Sequence, residues 1–142
     1  MDTSDIIGRW RILSWVQNYD DGRQVFPMGT SPRGFVTYDP DGGVTIMISD
    51  DKRTPFASGA QWTATDEEKA RAYDSFMAYC GRYEVLGDVV HHHVELASCP
   101  NWQGGVQIRS AALKGGQLSL TARLEDGTPQ ARTAIILWSK ER

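Results

Sequence analysis

Residues 34–49, GFVTYDPDGGVTIMIS, decide the fold class. Two stretches rich in β-branched and aromatic residues, 34–38 and 43–49, flank the turn sequence DPDG. Asp-Gly and Gly-Gly pairs supply the positive φ angles that tight hairpins need, at little steric cost. The segment therefore predicts two antiparallel strands joined by a tight turn.

The same alternation of short strand and turn continues along most of the chain. Turn signals also lie at residues 20–22, 86–88, 114–116 and 125–129. Between them we predict six further strands, at residues 8–18, 82–86, 89–97, 105–113, 117–123 and 131–139. About eight strands at such regular spacing indicate an all-β sandwich or barrel. No repeat or linker interrupts the pattern, so we expect a single domain over residues 1–142.

One segment has helical periodicity instead. Thr65 and Glu68 have the spacing of a capping box, in which two side chains satisfy free amides at a helix start. Apolar residues then recur at helical spacing as far as Cys80, and Gly81 follows where a helix commonly ends. We predict one amphipathic helix, roughly residues 66–80, with its aromatic stripe packed on the sheet or across a barrel mouth.

Composition excludes several classes of partner. The formal net charge of the 142 residues is −3, and no run of Lys or Arg is present, so we expect no nucleic-acid partner. No apolar stretch approaches the roughly 20 residues that span a bilayer, so we expect no membrane partner. The acidic start, residues 1–5, lacks the basic and apolar regions of a signal peptide, so the cytoplasm is the expected location.

Three consecutive histidines lie in the predicted strand 89–97. Because neighbouring side chains on a strand point to opposite faces, His92 shares an apolar face, whereas His91, His93 and Glu95 share a wetter one. A row of this kind binds zinc weakly at best, so we expect a solvated strand face, no metal and no cofactor. A buried His92 needs a hydrogen-bond partner, either as a core residue or as a polar group in a ligand cavity.

Alternation also predicts further inward residues but does not decide the direction of every strand. Tyr83 is expected inside with His92. Trp10 and Ser14 share one face of the first strand, but both faces of that strand carry a tryptophan, so its direction stays open. On the strand at 105–113, Val106 and Ile108 are the expected inward pair, which leaves Arg109 outside; a bulge near Ser110 would reverse this.

Several motifs, taken in order, resemble one known family. Gly8-x-Trp10 resembles the Gly-x-Trp signature of lipocalins, and the longer series resembles the lipocalin-like domain family of small bacterial and fungal proteins. The further motifs are Gly34-x-Val36-x-Tyr38-x-x-Asp41-Gly42, Tyr79-x-Gly81-x-Tyr83-x-Val85, His92-x-Val94-x-x-x-Ser98-x-Pro100, Gly105-x-x-x-Arg109, Leu118-x-Leu120 and Leu137-Trp138.

The resemblance implies a closed antiparallel lipocalin-like barrel with a short helix and a central cavity. It implies that His92 and Arg109 point at that cavity. It also implies a basic side chain over Trp10, for which Lys140 and Arg142 are the candidates. The expected ligand-binding set is Trp10, Ser14, Tyr38, Tyr83, His92 and Arg109.

Two functions follow from such a barrel. The first is binding of a small, largely apolar molecule with one polar end. The alternative is a cofactor-independent isomerase or cyclase acting on a small hydrophobic metabolite, with His92 as acid–base or polarising group. Whether the chain is an enzyme stays open, although no nucleophile elbow, phosphate loop or dinucleotide fingerprint is present. A second copy of the chain, forming a homodimer, is the other possible partner.

Overall fold

A computed structural model describes residues 1–141 and contains nine strands and two α-helices among them. The helices are α1 (Thr3–Ile6) and α2 (Asp66–Asp74), and a 3-10 turn follows at Pro100–Trp102. The strands are β1 (Gly8–Tyr19), β2 (Gln24–Val25), β3 (Arg33–Tyr38), β4 (Gly43–Ser49), β5 (Phe76–Leu86), β6 (Val89–Ala97), β7 (Val106–Lys114), β8 (Gln117–Leu124) and β9 (Arg132–Lys140).

The strands form a closed antiparallel barrel, which confirms the predicted fold class. Each strand from β3 to β8 pairs with the next along the chain, and β1 pairs with both β3 and β9. Eight strands thus close the barrel, while β2 is an extra strand on the end of β1. The hairpin at 34–49 forms as predicted, with Tyr38 opposite Val44 and Gly42 at a φ of +96° in the turn.

The predicted helix at 66–80 is correct only for its first nine residues. The capping box forms, because the Thr65 hydroxyl accepts from the Glu68 amide and the Glu68 carboxylate accepts from the Thr65 amide. The helix ends at Asp74, however, and buries none of its residues. From Phe76 onward the chain is strand β5, because residues 76–82 pair in register with β4 and the ladder satisfies backbone groups there.

Gly81 has a different role from the helix terminus predicted for it. It lies at a bulge in the β5–β6 pairing, where a Cβ atom would stand 1.8 Å from the His93 carbonyl oxygen. The bulge also reverses the end of β6: Leu96, which strict alternation places on the same face as His92, is 64% exposed, and Ala97 instead lies opposite the buried Tyr79. A regular alternation cannot foresee such a reversal, because the extra residue belongs to the pairing of two strands.

The two ends of the barrel differ. One end is closed by tight turns, by α1 and by the buried residues Ile6 and Trp10. The connections after β1, β4, β6 and β8 all lie at the other end, because every neighbouring pair is antiparallel. We call this end, with its longer loops, the mouth. Across residues 1–141, no helix combines the length and apolarity needed to cross a membrane.

Candidate functional site

A histidine held between two tyrosines lies in the barrel interior. His92 on β6 has no exposed surface. Its Nε2 atom is 2.8 Å from the Tyr38 hydroxyl on β3, and its Nδ1 atom is 2.6 Å from the Tyr79 hydroxyl on β5. We call these three residues the Tyr–His–Tyr cluster. Three strands therefore meet through hydrogen bonds in an otherwise apolar core.

Burial keeps all three members of the cluster uncharged. Loss of contact with water, and then the nearby Arg109 guanidinium, lowers the pKa of His92 to about 3. Burial raises the pKa of Tyr79 to about 12 and raises the pKa of Tyr38 well above its ordinary value. The cluster is therefore neutral at physiological pH.

Arg109 faces the interior, where the resemblance implied it. It lies opposite the buried Val90 in the β6–β7 pairing, and Gln107 lies opposite His92. The expectation that Val106 and Ile108 point inward is wrong, since they are 44% and 56% exposed. The pairing is continuous from Val106 to Ser110, so no bulge is needed to turn Arg109 inward. The register with β6 decides which face of β7 points inward, against the preference of the apolar Val106 and Ile108 for the interior.

Arg109 has polar partners but no carboxylate. Its Nη2 atom donates to Gln107 Oε1 at 2.9 Å, and its Nη1 atom donates to the Ile108 carbonyl at 3.2 Å. In the part of the chain that the structure describes, no Asp or Glu forms an ion pair with it. A half-buried positive charge is thus left without a negative partner beside the cluster.

The remaining expected site residues separate into two groups. Tyr83 is buried edge-on against Tyr38, with ring centroids 4.8 Å apart, and its hydroxyl donates to the Asp39 carbonyl at 2.8 Å. Tyr38, Tyr83, His92 and Arg109 are therefore brought together.

Trp10 and Ser14 lie apart from that group. Trp10 packs at the closed end and donates to the Ile6 carbonyl at 2.9 Å. The Lys140 ammonium lies 4.8 Å from its ring centroid, as the resemblance implied; Arg142 lies outside the described residues. Ser14 follows a bulge in β1 and pairs with Leu137, between the inward Ile136 and Trp138, so it faces outward.

Sequence reasoning missed three polar residues that point inward. Tyr79 was assigned to the helix, although its spacing to Gly81 and Tyr83 is that of a strand face. Trp15 lies opposite the inward-facing Ile136, and its indole nitrogen has no hydrogen-bond partner among residues 1–141; the same holds for the fully buried Trp138. A buried donor without a partner costs about 1–3 kcal/mol. A hydrogen-bond acceptor placed beside either indole nitrogen would remove that cost.

Surface clefts lie away from this cluster. One, of about 670 Å³, separates α2 from the loop containing Arg53 and Phe56. Two others, of about 450 and 380 Å³, lie beside Phe35 and beside His93. None of the three is lined by a member of the Tyr–His–Tyr cluster.

The outer face of β6 also differs from the expectation. His93 Nε2 is 2.6 Å from Glu84 Oε1 on β5, and His91 is the residue paired with Glu84. The carboxylate beside the two histidines is thus Glu84 and not Glu95, because the neighbouring strand supplies it.

A closed eight-stranded antiparallel barrel with a Gly-x-Trp start under a basic side chain defines a lipocalin-like protein. The family model described as "lipocalin-like domain" matches residues 7–141, and the chain belongs to that family. A relative is the 4′-hydroxy-3′-methoxypropiophenone carrier protein of Aspergillus oryzae. The two are 38% identical over an alignment of 77 residues, and the match covers 48% of this chain and 69% of the relative. No solved structure matches the chain.

Proposed function

We propose that this protein binds one small, largely apolar molecule in the barrel interior, with the polar end of that molecule at the Tyr–His–Tyr cluster and Arg109. The observation that carries the proposal is a neutral, fully buried polar cluster beside a guanidinium without a carboxylate. A folding core gains little from such an arrangement, because polar groups cost free energy to bury. A binding site uses it to fix the orientation of a ligand.

The Tyr–His–Tyr cluster has one proton that it can donate to a ligand. Two tyrosine hydroxyls and one neutral imidazole together carry three hydrogen-bonding protons. The two hydrogen bonds inside the cluster use two of them, whichever ring nitrogen carries its proton. One hydroxyl proton remains, so the cluster can donate to an acceptor such as a carbonyl or phenolic oxygen.

Arg109 favours the same chemistry. Its guanidinium has five N–H donors, of which Gln107 and the Ile108 carbonyl engage only some. The remaining donors suit an oxygen with full or partial negative charge. Trp102, whose ring packs edge-on against Tyr79 at 6.0 Å, stands at the mouth beside the cluster. We therefore propose a flat, aromatic ligand that enters by the mouth.

The relative supports this ligand class. Its name describes it as a carrier of a phenolic aryl ketone, a molecule with an apolar body and oxygen acceptors. We propose that the present protein also carries an aryl ketone or a similar phenolic compound.

The geometry favours binding over isomerase or cyclase chemistry by His92. A general base must reach the proton that it removes, directly or through one water. Both ring nitrogens of His92 already face tyrosine hydroxyls, and the ring is wholly buried. His92 thus orients the tyrosines and makes no direct contact with a bound molecule.

A binding titration tests the proposal. 4′-Hydroxy-3′-methoxypropiophenone is added to the protein while tryptophan fluorescence and heat of binding are recorded. We expect saturable binding of one molecule per chain, and Arg109→Gln should weaken it at least about tenfold, the loss of one charge-assisted hydrogen bond. The control is Arg33→Gln, because Arg33 is exposed at the first position of β3.

The outcomes separate the alternatives. Equal effects of Arg109→Gln and Arg33→Gln would contradict the proposed site. Consumption of the ketone, detected by mass spectrometry, would favour the enzyme. The cytoplasmic location and the homodimer stay predictions, which cell fractionation and a mass measurement in solution would test.

A further inference from the structure

We propose that Glu84, His91 and His93 form a binding site for a divalent transition metal of the zinc type on the outer face of the barrel. Their ligand atoms all lie within 4.8 Å of one another. This site is separate from the interior site, because strand alternation places His91 and His93 on the face of β6 opposite to His92.

The donor set matches the preference of zinc. Imidazole nitrogen and carboxylate oxygen bind Zn²⁺ at about 2.0–2.2 Å, so ligand atoms in a tetrahedral site lie about 3.3 Å apart. Glu84 Oε1 and His93 Nε2 are already 2.6 Å apart, held by a shared proton that a metal would replace. The His91 ring centroid is 6.2 Å from that of His93, and small side-chain rotations bring its nitrogen within range.

The backbone holds these ligands in place. Strands β5 and β6 form one hairpin with a tight turn at Gly87, and Glu84 lies opposite His91 in it. The two histidines are alternate residues on β6, so their Cβ atoms point the same way. Because the pairing fixes the three Cα positions, a metal would order side chains only.

The surroundings allow the metal to keep an open position. Ile108 lies beside His91 and Val106 beside His93 on the neighbouring strand, so one flank is apolar. On the other flank, Arg82 also lines the cleft beside His93, and its Nη2 atom donates to the Asp41 carbonyl at 2.5 Å. A cleft of about 380 Å³ is lined by Glu84 and His93, which leaves room for water as the fourth ligand.

Glu95 provides a matched control. It lies near His93 in the same cleft and carries the same carboxylate, but it is outside the group of three. On sequence spacing alone it would be the third ligand. A Glu-to-Gln change at each position therefore separates a site built by strand pairing from general surface charge.

The experiment uses the untagged full chain, stripped of metal, with Co²⁺ and Zn²⁺ alone as probes. We expect one equivalent of Co²⁺ to give a visible absorption band typical of nitrogen and oxygen ligands, and Zn²⁺ to displace it. Glu84→Gln and His93→Gln should each weaken Zn²⁺ binding at least about tenfold, a difference of about 1.4 kcal/mol, whereas Glu95→Gln should leave it unchanged.

Three results would overturn the proposal. One is equal Zn²⁺ affinity of Glu84→Gln and the unmodified protein. Another is equal weakening by Glu84→Gln and Glu95→Gln. The last is a thiolate charge-transfer band from Co²⁺, because Cys80 and Cys99 are both free and would then be the ligands. Circular dichroism confirms that each variant is folded, as expected for changes at partly exposed positions.

Discussion

Removing one hydroxyl from the Tyr–His–Tyr cluster should destabilise the barrel measurably. Tyr79→Phe keeps the aromatic ring and its packing but removes the group that hydrogen-bonds His92 Nδ1 at 2.6 Å. The ring nitrogen is then buried without a partner, which costs about 1–3 kcal/mol. Against a total stability of about 5–15 kcal/mol for a domain, the variant should fold but unfold at a clearly lower urea concentration.

Urea unfolding followed by tryptophan fluorescence measures this loss. The slope of the unfolding free energy against urea should not change, because the surface exposed on unfolding is the same. Tyr73→Phe is the control, since Tyr73 is half-exposed on α2, and it should change the free energy by less than about 0.5 kcal/mol. Adding Tyr38→Phe to Tyr79→Phe should destabilise further, because Nε2 of His92 then loses its partner too. If the free energy of unfolding of Tyr79→Phe lies within about 0.5 kcal/mol of that of the unmodified protein, the stabilising role of the Tyr–His–Tyr cluster is refuted.

Three further predictions concern other parts of the barrel. Burial raises the pKa values of Tyr38 and Tyr79 above the ordinary value near 10, so the folded state holds protons that the unfolded state releases. The free energy of unfolding should therefore fall as pH rises from about 10 to 12. An ultraviolet titration should show both tyrosines ionising only near or after unfolding. Gly81→Ala should cost about 1–3 kcal/mol in urea unfolding, because its Cβ would meet the His93 carbonyl, whereas Gly105→Ala should be nearly neutral, with 3.4 Å to its nearest atom. Lys140→Met should lower the free energy of unfolding by about 0.5–1 kcal/mol, because it removes the ammonium that lies over the indole of the Gly-x-Trp motif and donates to the Ile7 carbonyl. An equal effect of Lys114→Met would contradict that assignment.

Local patterns were enough to predict most of the barrel. The hairpin at 34–49 depends on residues close in sequence, so its turn and both strands could be read directly. The inward direction of His92 followed from uninterrupted alternation between Val90 and Val94. In both cases no long-range contact competes with the local preference.

Elsewhere the outcome depends on partners far along the chain. Residues 76–80 fit both helical and strand spacing, and pairing with β4 decides for the strand. Arg109 turns inward because β7 takes its register from β6, against the apolar preference of Val106 and Ile108. Glu84 joins the two histidines across a strand pair. Register between strands is not encoded in any single strand, so none of these features could be read from one segment.

The most direct test of the central claim is the imidazole NMR signal of His92 during titration with the phenolic ketone. The chain has three histidines, so the other two, on the outer face, serve as internal controls in the same sample. We predict that the ring nitrogens of His92 shift as the ligand saturates one site per chain, while those of His91 and His93 stay constant in metal-free buffer. Shifts confined to His91 and His93, or no shift at His92 at saturation, would contradict binding at the interior cluster.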